Sequence, residues 1–500
     1  MGNLSSIKSI VVLMMENRSL DTWAGWIYAP ENVSPNGDAF DGLTPELGNP
    51  PSPGSTEFIP VGRTTNHMNP TPDPGEPYSH VNVQLFEKNP PPDSLPAKQN
   101  LGFVWDYTNV LHMGCYPTNP ATILDGFDPS VVSCTQAIAQ QFAICDQWFC
   151  SVPTQTWPNR SFVHTGWSNG NLVNFPYDPM LWDVPTIFNV MARRPDSTWR
   201  VYYHDLIFPL VMVQFPQMQK FGYAKNFHHI DQFLHDAASG SLPQYAFIEP
   251  RFIADPIAGP ETDAHPPHSA FIGDQFIGEI YNAIVTGPQF KANEVLFIIT
   301  FDEHGGTYDH VAPFTNATPV GVNMETRFTF DRFGVRVPTI VVSPFVKKGS
   351  VFNKPAGVPN DAPPSTYTPY DHTSILKTIE LAYGYPNMTA RDKAAPDLGG
   401  ILTEPARTDY GPVPVTGPFQ ELKDWIAERI SRESVSKMPL NDLQVSIVAA
   451  AAHMRPTLDH SDDAQPAIVP PTPEEVEKLP RTVAEAIDFF KAKKEELGLG

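Results

Sequence analysis

Three continuous apolar runs constrain the fold of this chain most strongly. They are SIVVLMM at residues 9–15, EVLFIITF at 294–301 and VRVPTIVVSPFV at 335–346. All three are rich in β-branched residues and are too short to cross a membrane, which takes ~20 apolar residues in a helix. Strands that are apolar without alternation are buried on both faces, as in a mainly parallel sheet. The runs therefore predict an α/β fold.

Two amphipathic segments predict helices that cover such a sheet. The first, SAFIGDQFIGEIYNAIVTG at residues 269–287, has its apolar residues at helical spacing. The second, DHTSILKTIELAYGY at 371–385, begins with Asp371, a residue type that caps helix N-termini. Strands and helices together predict a three-layer sandwich around a mainly parallel sheet.

Proline punctuates the chain unusually often, at 55 of 500 positions, and many of these prolines lie between residues 49 and 97. Because proline lacks a backbone donor and disfavours helix, this region is expected to form long loops that shape a pocket. Residues 1–417 are predicted to form one catalytic domain. Residues 418–500, with the charged segments FQELKDWIAERISRE and TVAEAIDFFKAKKEEL, are predicted to form a helical extension.

The acidic charge balance excludes some partners. The formal net charge is −22, whereas nucleic acids and anionic membranes are bound through clustered Lys and Arg. We therefore expect no nucleic acid, at most transient contact with a membrane surface, and no obligate protein partner. The N-terminus lacks the pattern of a signal peptide, which predicts a cytoplasmic protein or an exported mature form.

The four cysteines are too few to form a disulfide scaffold in a chain of this length. Cys145 and Cys150 stand close together in CDQWFC, without a second close pair that would complete a zinc site. A disulfide between them and two buried free thiols both remain open.

Polar side chains follow two of the apolar runs at the point where each run ends. Glu16 and Asn17 follow the first run, and Asp302 and Glu303 follow the second. Because ligands bind at the carboxyl ends of parallel strands, these oxygen-bearing side chains are candidates for one divalent-cation site. The alternatives are a cap for the next helix or a solvated turn.

A third segment, CSVPTQTWPNR at residues 150–160, places Thr154 and Thr156 in a loop bounded by prolines, with Asn159 just beyond. A threonine hydroxyl acts as a nucleophile only when a base or a metal activates it. The alternative is a loop that caps the following helix.

Together the motifs ENRSLD, CSVPTQTWPNR and TFDEHGGTYDHV resemble the bacterial phospholipase C and acid phosphatase family, which includes the plant non-specific phospholipases C. The resemblance extends over roughly residues 7–400 and includes FAICDQWFCSVP and VVSPFVKKGSV. It implies a fold similar to that of the alkaline phosphatase superfamily.

The resemblance also implies roles for individual residues. Thr156 is expected to be the nucleophile of a phosphothreonine intermediate, and Asn159 to bind a phosphate oxygen. A divalent metal ion, whether calcium, magnesium or zinc, is expected to lower the pKa of Thr156 and to be held by Glu16, Asn17, Asp302, Glu303 and Thr156.

Histidines are expected to stabilise charge and to protonate the leaving group. The family's phosphate-site histidines match His265 best, with His204 and His80 in stretches that align more loosely. Arg18 and Ser19 are expected to orient the metal ligands, and so are three further histidines, His268, His310 and His372. His304 receives no catalytic role.

The function that follows is a metal-dependent phospholipase C. It would release diacylglycerol and a phosphorylated head group from glycerophospholipids. A broad acid phosphatase that acts on soluble monoesters is the alternative, because the same nucleophile and metal serve both reactions. A non-catalytic binding protein with this fold is disfavoured, since every expected catalytic position is filled.

Overall fold

The structure is a computed structural model. It describes residues 3–416, apart from gaps at 93, 95, 97–98, 112–114, 175–177, 206–207 and 256–258. It also describes residues 436–454 and 472–497, the latter with gaps at 473–474 and 477. The predicted helix FQELKDWIAERISRE lies outside the described residues.

Fourteen strands are found in the described part of the chain. They are β1 Ser9–Met15, β2 Gly48–Asn49, β3 Ile59–Pro60, β4 Gly62–Thr64, β5 Asp125–Phe127, β6 Ala143–Cys145, β7 Trp148–Phe149, β8 Trp199–Tyr203, β9 Phe227–His229, β10 Tyr245–Glu249, β11 Val295–Phe301, β12 Thr339–Val342, β13 Ser350–Phe352 and β14 Tyr370–Asp371. Eight of them form one sheet in the order β13-β6-β12-β11-β1-β10-β8-β9. The other six form three two-stranded pairs.

The large sheet is mainly parallel, as the apolar runs predict. Every neighbouring pair is parallel except β11–β12 and β12–β6, so β12 alone runs in the opposite direction. All residues of β1 and β11 are buried, so both faces of the sheet are covered there. The three apolar runs form β1, β11 and β12, next to one another in the sheet.

The α-helices of the described residues are α1 Leu20–Ala24, α2 Tyr78–Phe86, α3 Phe103–Asn109, α4 Ser133–Ala139, α5 Thr156–Thr165, α6 Pro179–Trp182, α7 Ile187–Met191, α8 Leu210–Gln214, α9 Ile230–Ser239, α10 Ala270–Thr286, α11 Pro288–Lys291, α12 His372–Tyr383, α13 Ala390–Ala394, α14 Asp442–His453 and α15 Val483–Leu497. Both predicted covering helices are confirmed as α10 and α12. Asp371 caps α12 through a reciprocal pair of hydrogen bonds with Ser374, and Ser269 caps α10. The α/β sandwich is therefore the observed architecture.

The C-terminal extension packs against this sandwich where the structure describes it. α14 contacts α8 and α15, and residues of both α14 and α15 belong to the same buried cluster as the central sheet. Gln444 of α14 donates a hydrogen bond to the carbonyl of Phe252 at 2.8 Å. No helix among the described residues is both long and apolar enough to span a bilayer.

All four cysteines are free thiols. Cys134, Cys145 and Cys150 are buried and Cys115 is exposed. Cys145 and Cys150 are therefore buried free thiols and do not form a disulfide. Burial raises the pKa of the Cys145 and Cys150 thiols well above the ordinary value, so both are neutral hydrophobic residues of the core.

Candidate active site

The register of the central sheet brings the two polar strand ends together. β1 and β11 are parallel neighbours in which Met15 pairs with Phe301, so the next residues along the two strands, Glu16 and Asp302, lie side by side. The backbone N–H of Asp302 donates to the carbonyl of Met15 at 3.2 Å. The N–H of Asn17 donates to Asp302 Oδ1 at 3.0 Å. Glu16, Asn17, Asp302 and Glu303 are all fully buried.

A glycine next to these carboxylates allows the close approach of the two strand ends. Gly305 has φ +62° and donates its N–H to Glu303 Oε2 at 2.7 Å. A Cβ atom at Gly305 would lie 2.2 Å from the carbonyl oxygen of Asn17. Asn17 itself has φ 57°, a conformation that asparagine tolerates better than most residues. Gly305 and Asn17 are therefore residue types that accept the left-handed backbone conformation found at both positions.

Thr156 is the first residue of α5, and its hydroxyl points to the end of β1. Its Oγ1 donates to Glu16 Oε2 at 3.1 Å, and Asn17 Oδ1 lies 3.4 Å from the same oxygen. Thr156 is completely buried. The N-terminus of a helix carries a partial positive charge, which favours an anion beside this hydroxyl.

Arg160, one turn further along α5, balances part of the negative charge. Its Nε donates to Glu16 Oε1 at 2.8 Å and lies 3.7 Å from Asp302 Oδ2. Burial opposes the charge on this guanidinium, but Glu16, Asp302 and Glu249 outweigh burial and raise the pKa of Arg160. Arg160 therefore remains charged and joins α5 to both strand ends.

Burial also sets the protonation of the carboxyl groups. It raises the pKa of Glu16 and of Glu303 well above the ordinary value, and the nearby Asp302 raises both further. A cation would reverse this effect, because it stabilises the ionised carboxylates.

The donor set fits a divalent cation. Among the described residues, Asp302 Oδ2 and Glu303 Oε1 are buried oxygens without a hydrogen-bond partner. Buried carboxylate oxygens without hydrogen bonds are costly, and a hard cation that prefers oxygen ligands would satisfy them. Further oxygens come from Glu16, Asn17 and Thr156, whose side chains contact one another at 3.1 and 3.4 Å.

A second group of possible metal ligands adjoins the first. Atoms of Asp73, Glu76 and His265 all lie within 4.8 Å of one another. Glu76 Oε1 accepts a hydrogen bond from Asn17 Nδ2 at 2.5 Å and lies 3.3 Å from His265 Nε2. Asp73 and Glu76 belong to the proline-rich segment, which thus supplies acidic side chains to the site. The predicted carboxylates Glu16, Asp302 and Glu303 do not form so compact a trio.

The contacts of Asn159 differ from those expected of a phosphate-binding residue. Its Nδ2 donates to the carbonyls of Val152, Thr154 and Gln155, and its Oδ1 accepts from the N–H of Val152. Because the whole amide is engaged with the loop before α5, a phosphate oxygen would have to displace one of these bonds. Asn159 fixes the loop that carries Thr156.

Of the three predicted histidines, only His265 lies beside this cluster. His265 Nδ1 donates to the carbonyl of Pro266 at 2.6 Å, which leaves Nε2 turned to Glu76. His204 stacks on Phe276 and lies 3.1 Å from Thr262 Oγ1 through its Nδ1. No contact between His204 and the Thr156 cluster is found within the described chain, because α10 holds its ring against Phe276.

His80 makes no contact with Thr156 among the described residues, but a chain of contacts connects it to Glu303. His80 Nδ1 donates to Asp106 Oδ1 at 2.9 Å, and Gln84 Nε2 donates to Asp106 Oδ2 at 2.8 Å. His304 Nε2 donates to Gln84 Oε1 at 2.7 Å, and its Nδ1 lies 3.2 Å from Glu303 Oε2. Burial lowers the pKa of His304 to about 3, so this ring is neutral.

The remaining histidines brace the site in different ways. His372 Nε2 donates to the carbonyl of Asp302 at 2.5 Å, and His268 Nδ1 donates to Asp263 Oδ1 at 2.7 Å. His310 instead belongs to a buried ion network away from Thr156, in which Arg336 bridges Asp21 and Asp309. This network is also a trio of possible metal ligands, but Arg336 already compensates its carboxylates.

Arg18 and Ser19 show that the polar end of β1 serves two purposes. Ser19 accepts from the N–H of Thr22 and so caps α1, while Glu16 and Asn17 face the cluster. Arg18 donates to the carbonyls of Asn69 and Ala264, and thereby connects the strand end to two loops of the site. The polar end of β1 therefore both caps α1 and contributes side chains to the cluster around Thr156.

Sequence reasoning missed several residues of this site. The prediction for residues 150–160 uses only hydroxyl and amide groups and omits Arg160. The prediction of loops between residues 49 and 97 omits Asp73, Glu76 and Gln84, the last of which lies in α2. Asp442, the first residue of α14, lies near enough to raise the pKa of both Asp73 and Glu76, although burial raises them more. Nothing in the sequence of the extension indicated this approach.

Comparisons with known proteins agree with these motifs. Non-specific phospholipase C3 of Arabidopsis thaliana is 32% identical over 480 residues, which cover 93% of this chain and 85% of the relative. Non-specific phospholipase C6 of the same plant is 33% identical, with coverages of 99% and 89%. The non-hemolytic phospholipase C of Pseudomonas aeruginosa is 24% identical, with coverages of 85% and 60%.

Among solved structures, an alkaline phosphatase superfamily protein from Vibrio parahaemolyticus aligns at a TM-score of 0.33 and 9% identity. It covers 53% of this chain and 64% of that chain, a similarity too low to support an argument. The sequence pattern of the Phosphoesterase family, in contrast, matches residues 7–386, which include β1, α5 and β11 with the whole Thr156 cluster. The chain is a member of the Phosphoesterase family.

Proposed function

We propose that this phosphoesterase is a phospholipase C with Thr156 as its nucleophile. One observation carries the proposal: the Thr156 hydroxyl lies at the N-terminus of a buried helix and donates to Glu16 Oε2 at 3.1 Å. The plant relatives named non-specific phospholipase C, which align over nearly the whole chain, support the choice of substrate.

In this reaction Thr156 Oγ1 gives its proton to Glu16 Oε2, the oxygen to which it donates, and attacks the phosphorus of a glycerophospholipid. The new bond joins Oγ1 to phosphorus, and the bond between phosphorus and the glycerol oxygen breaks. Diacylglycerol leaves after its oxygen gains a proton. A water molecule then attacks the phosphorus, which releases the phosphorylated head group and restores the threonine hydroxyl.

His265 is the residue that we assign to the proton transfer. The hydrogen bond from its Nδ1 to Pro266 fixes the ring and directs Nε2 toward Glu76, which also accepts from Asn17. From this position Nε2 carries the proton that the leaving glycerol oxygen requires.

Glu16, Asn17, Asp302 and Glu303 would hold a divalent metal ion together with Thr156. Such an ion would polarise the phosphoryl oxygens and favour the ionised form of the threonine hydroxyl. Asn17 and Gly305 keep the strand ends close, and Asn159 holds the loop that presents Thr156. Gln84 acts through His304 as a positioning residue for Glu303, and His80 only donates to Asp106 at the outer end of these contacts.

The test is phosphorus-31 NMR of the protein with a short-chain phosphatidylcholine and, in a separate tube, a soluble phosphate monoester. The proposal predicts a phosphocholine signal that grows faster than inorganic phosphate from the monoester. Rapid hydrolysis of the monoester with unchanged lipid would replace the proposal with the acid phosphatase alternative.

A further inference from the structure

A large cavity lies far from the Thr156 cluster, at the opposite edge of the central sheet. It has a volume of about 720 Å³, within the usual range of pockets for small molecules. Its wall includes Trp199, the first residue of β8, and Asn226, which directly precedes β9. Because these residues lie where β8 and β9 begin, the cavity lies at the amino ends of the parallel strands. Thr156 lies at their carboxyl ends, roughly 20 Å away along the strands.

The charge of this cavity is opposite to that of the whole protein. Five of its sixteen lining residues are basic: Arg193, Arg194, Arg200, Lys220 and Lys225. None of the sixteen is an aspartate or glutamate, although the chain has 55 acidic and 33 basic residues. A basic concave surface on a protein of net charge −22 marks a place where an anion is attracted locally.

The basic side chains differ in how far they are already engaged. Arg200 pairs with Asp236, and Arg194 donates to the carbonyls of Tyr383 and Gly384. Arg193 and Lys225 are exposed, and their side chains make no hydrogen bond or ion pair with any residue that the structure describes. These two cations are therefore available to a ligand.

The rest of the wall suits an organic anion. Trp199 and Tyr223 form an edge-to-face pair with ring centroids 5.4 Å apart, and Asn189, Gln217 and Asn226 bring side-chain amides. Guanidinium groups match the geometry of phosphate oxygens, and aromatic rings and amides contact the organic part of a ligand. A membrane is a less suitable partner, since this edge of the sheet faces away from the site that would receive a lipid.

We propose that this cavity is a second ligand site, which binds a soluble small molecule carrying more than one phosphate group. The inference does not depend on the reaction at Thr156, because the two sites lie at opposite edges of the sheet. It gives the protein a place where a phosphorylated metabolite is sensed apart from the substrate.

The test is isothermal titration calorimetry of the full-length protein with inorganic triphosphate at low ionic strength. The variant is Arg193→Gln with Lys225→Gln, and the matched control is Arg327→Gln with Lys347→Gln, an exposed Arg and Lys that do not line the cavity. Loss of two charge-assisted contacts predicts binding at least about tenfold weaker in the cavity variant and unchanged in the control. Triphosphate bound near Thr156 affects all three proteins equally.

Equal affinity of the cavity variant and the control would overturn the proposal. A parallel sedimentation assay with vesicles of anionic phospholipid separates the two sources of phosphate. If the cavity variant loses vesicle binding while its triphosphate affinity stays unchanged, the cavity is a membrane contact and the proposed soluble ligand is wrong. Thermal denaturation of both variants verifies that each is folded.

Discussion

His304 Nε2 donates a hydrogen bond to Gln84 Oε1 at 2.7 Å, across 220 residues of sequence and in a fully buried environment. This bond joins the proline-rich segment to the end of β11. It fixes the neutral imidazole whose other nitrogen faces Glu303, and so it connects α2 to the carboxylates beside Thr156.

Replacing Gln84 with methionine tests this connection. The change leaves His304 Nε2 and Asp106 without their buried partner, which costs about 1–3 kcal/mol of unfolding free energy. Because Glu303 loses its fixed neighbour, we expect kcat to fall about tenfold, equivalent to about 1.4 kcal/mol of barrier. Kinetics and denaturant unfolding measure both effects. The control His80→Gln keeps a donor for Asp106 at the half-exposed end of the chain of contacts, and it should behave like the wild type. Wild-type kcat in Gln84→Met would contradict the positioning role.

Gly305→Ala tests the close approach of the strand ends. The added Cβ would meet the carbonyl of Asn17 at 2.2 Å, in addition to the strain of a left-handed backbone at φ +62°. We expect loss of activity of about a hundredfold or more, equivalent to about 2.7 kcal/mol of barrier, because Asn17 must shift. Gly357→Ala is the matched control, since Gly357 has φ +84° and nothing within 4 Å of the new Cβ. If both variants lose activity equally, backbone strain and not the approach to Asn17 is responsible.

Glu303→Gln tests the proposed metal site. After chelation with EDTA, we expect calcium, magnesium or zinc to raise the melting temperature of the wild type. A ligand at a hundredfold excess over its dissociation constant stabilises the fold by about 2.7 kcal/mol. Glu303→Gln keeps the shape of the side chain but removes its negative charge. Since Glu303 Oε1 has no hydrogen-bond partner among the described residues and is free to bind the metal, the increase in melting temperature should largely disappear in this variant. The comparison variant is Glu76→Gln. If only Glu76→Gln abolishes the increase, the metal binds the trio of Asp73, Glu76 and His265.

The ion network of Arg336 predicts a pH dependence of stability. Although burial opposes its charge, the carboxylate of Asp21 raises the pKa of His310 to about 10, compared with about 6.5 in the unfolded chain. This stabilisation is complete below pH 6.5 and is lost as the pH rises to 10, because only the folded state keeps the proton in that window. The free energy of unfolding should fall by up to about 1.4 kcal/mol per pH unit from this group. Urea unfolding at pH 7.5, 8.5 and 9.5 should show a smaller decrease for His310→Gln. Parallel slopes for both proteins would exclude His310 as the cause.

The sequence predicted those parts of the molecule in which local pattern decides the structure. Continuous apolar runs suffice for β1, β11 and β12, and helical spacing with a cap suffices for α10 and α12. The strand ends at Glu16 and Asp302 were foreseen to converge because parallel strands share an edge. The direction of β12 was not foreseen, since burial on both faces does not distinguish parallel from antiparallel neighbours.

Contacts between distant segments could not be predicted in the same way. Asp73 and Glu76 reach the site through an irregular loop that has no period. Gln84 comes from α2 within the proline-rich segment, and Asp442 comes from α14 of the C-terminal extension. Asn159 has a favourable residue type beside the nucleophile loop, but its amide donates to the carbonyls of that loop, a contact that no sequence pattern indicates. The alignment that favours His204 is loose, and the packing of its ring on Phe276 keeps His204 away from Thr156.

We propose that Thr156 carries the phosphorylated head group during turnover. The most direct measurement is mass spectrometry of the wild type, Thr156→Ala and Thr154→Ala. Each protein is mixed with a short-chain phosphatidylcholine, quenched with acid during the first turnovers and then digested. Thr154 lies in the same loop, but its hydroxyl donates to the carbonyl of Leu172 and does not contact Glu16. A phosphocholine adduct on Thr156 is expected in the wild type and in Thr154→Ala, with neither adduct nor free phosphocholine from Thr156→Ala. Phosphocholine release by Thr156→Ala at the wild-type rate would contradict this proposal.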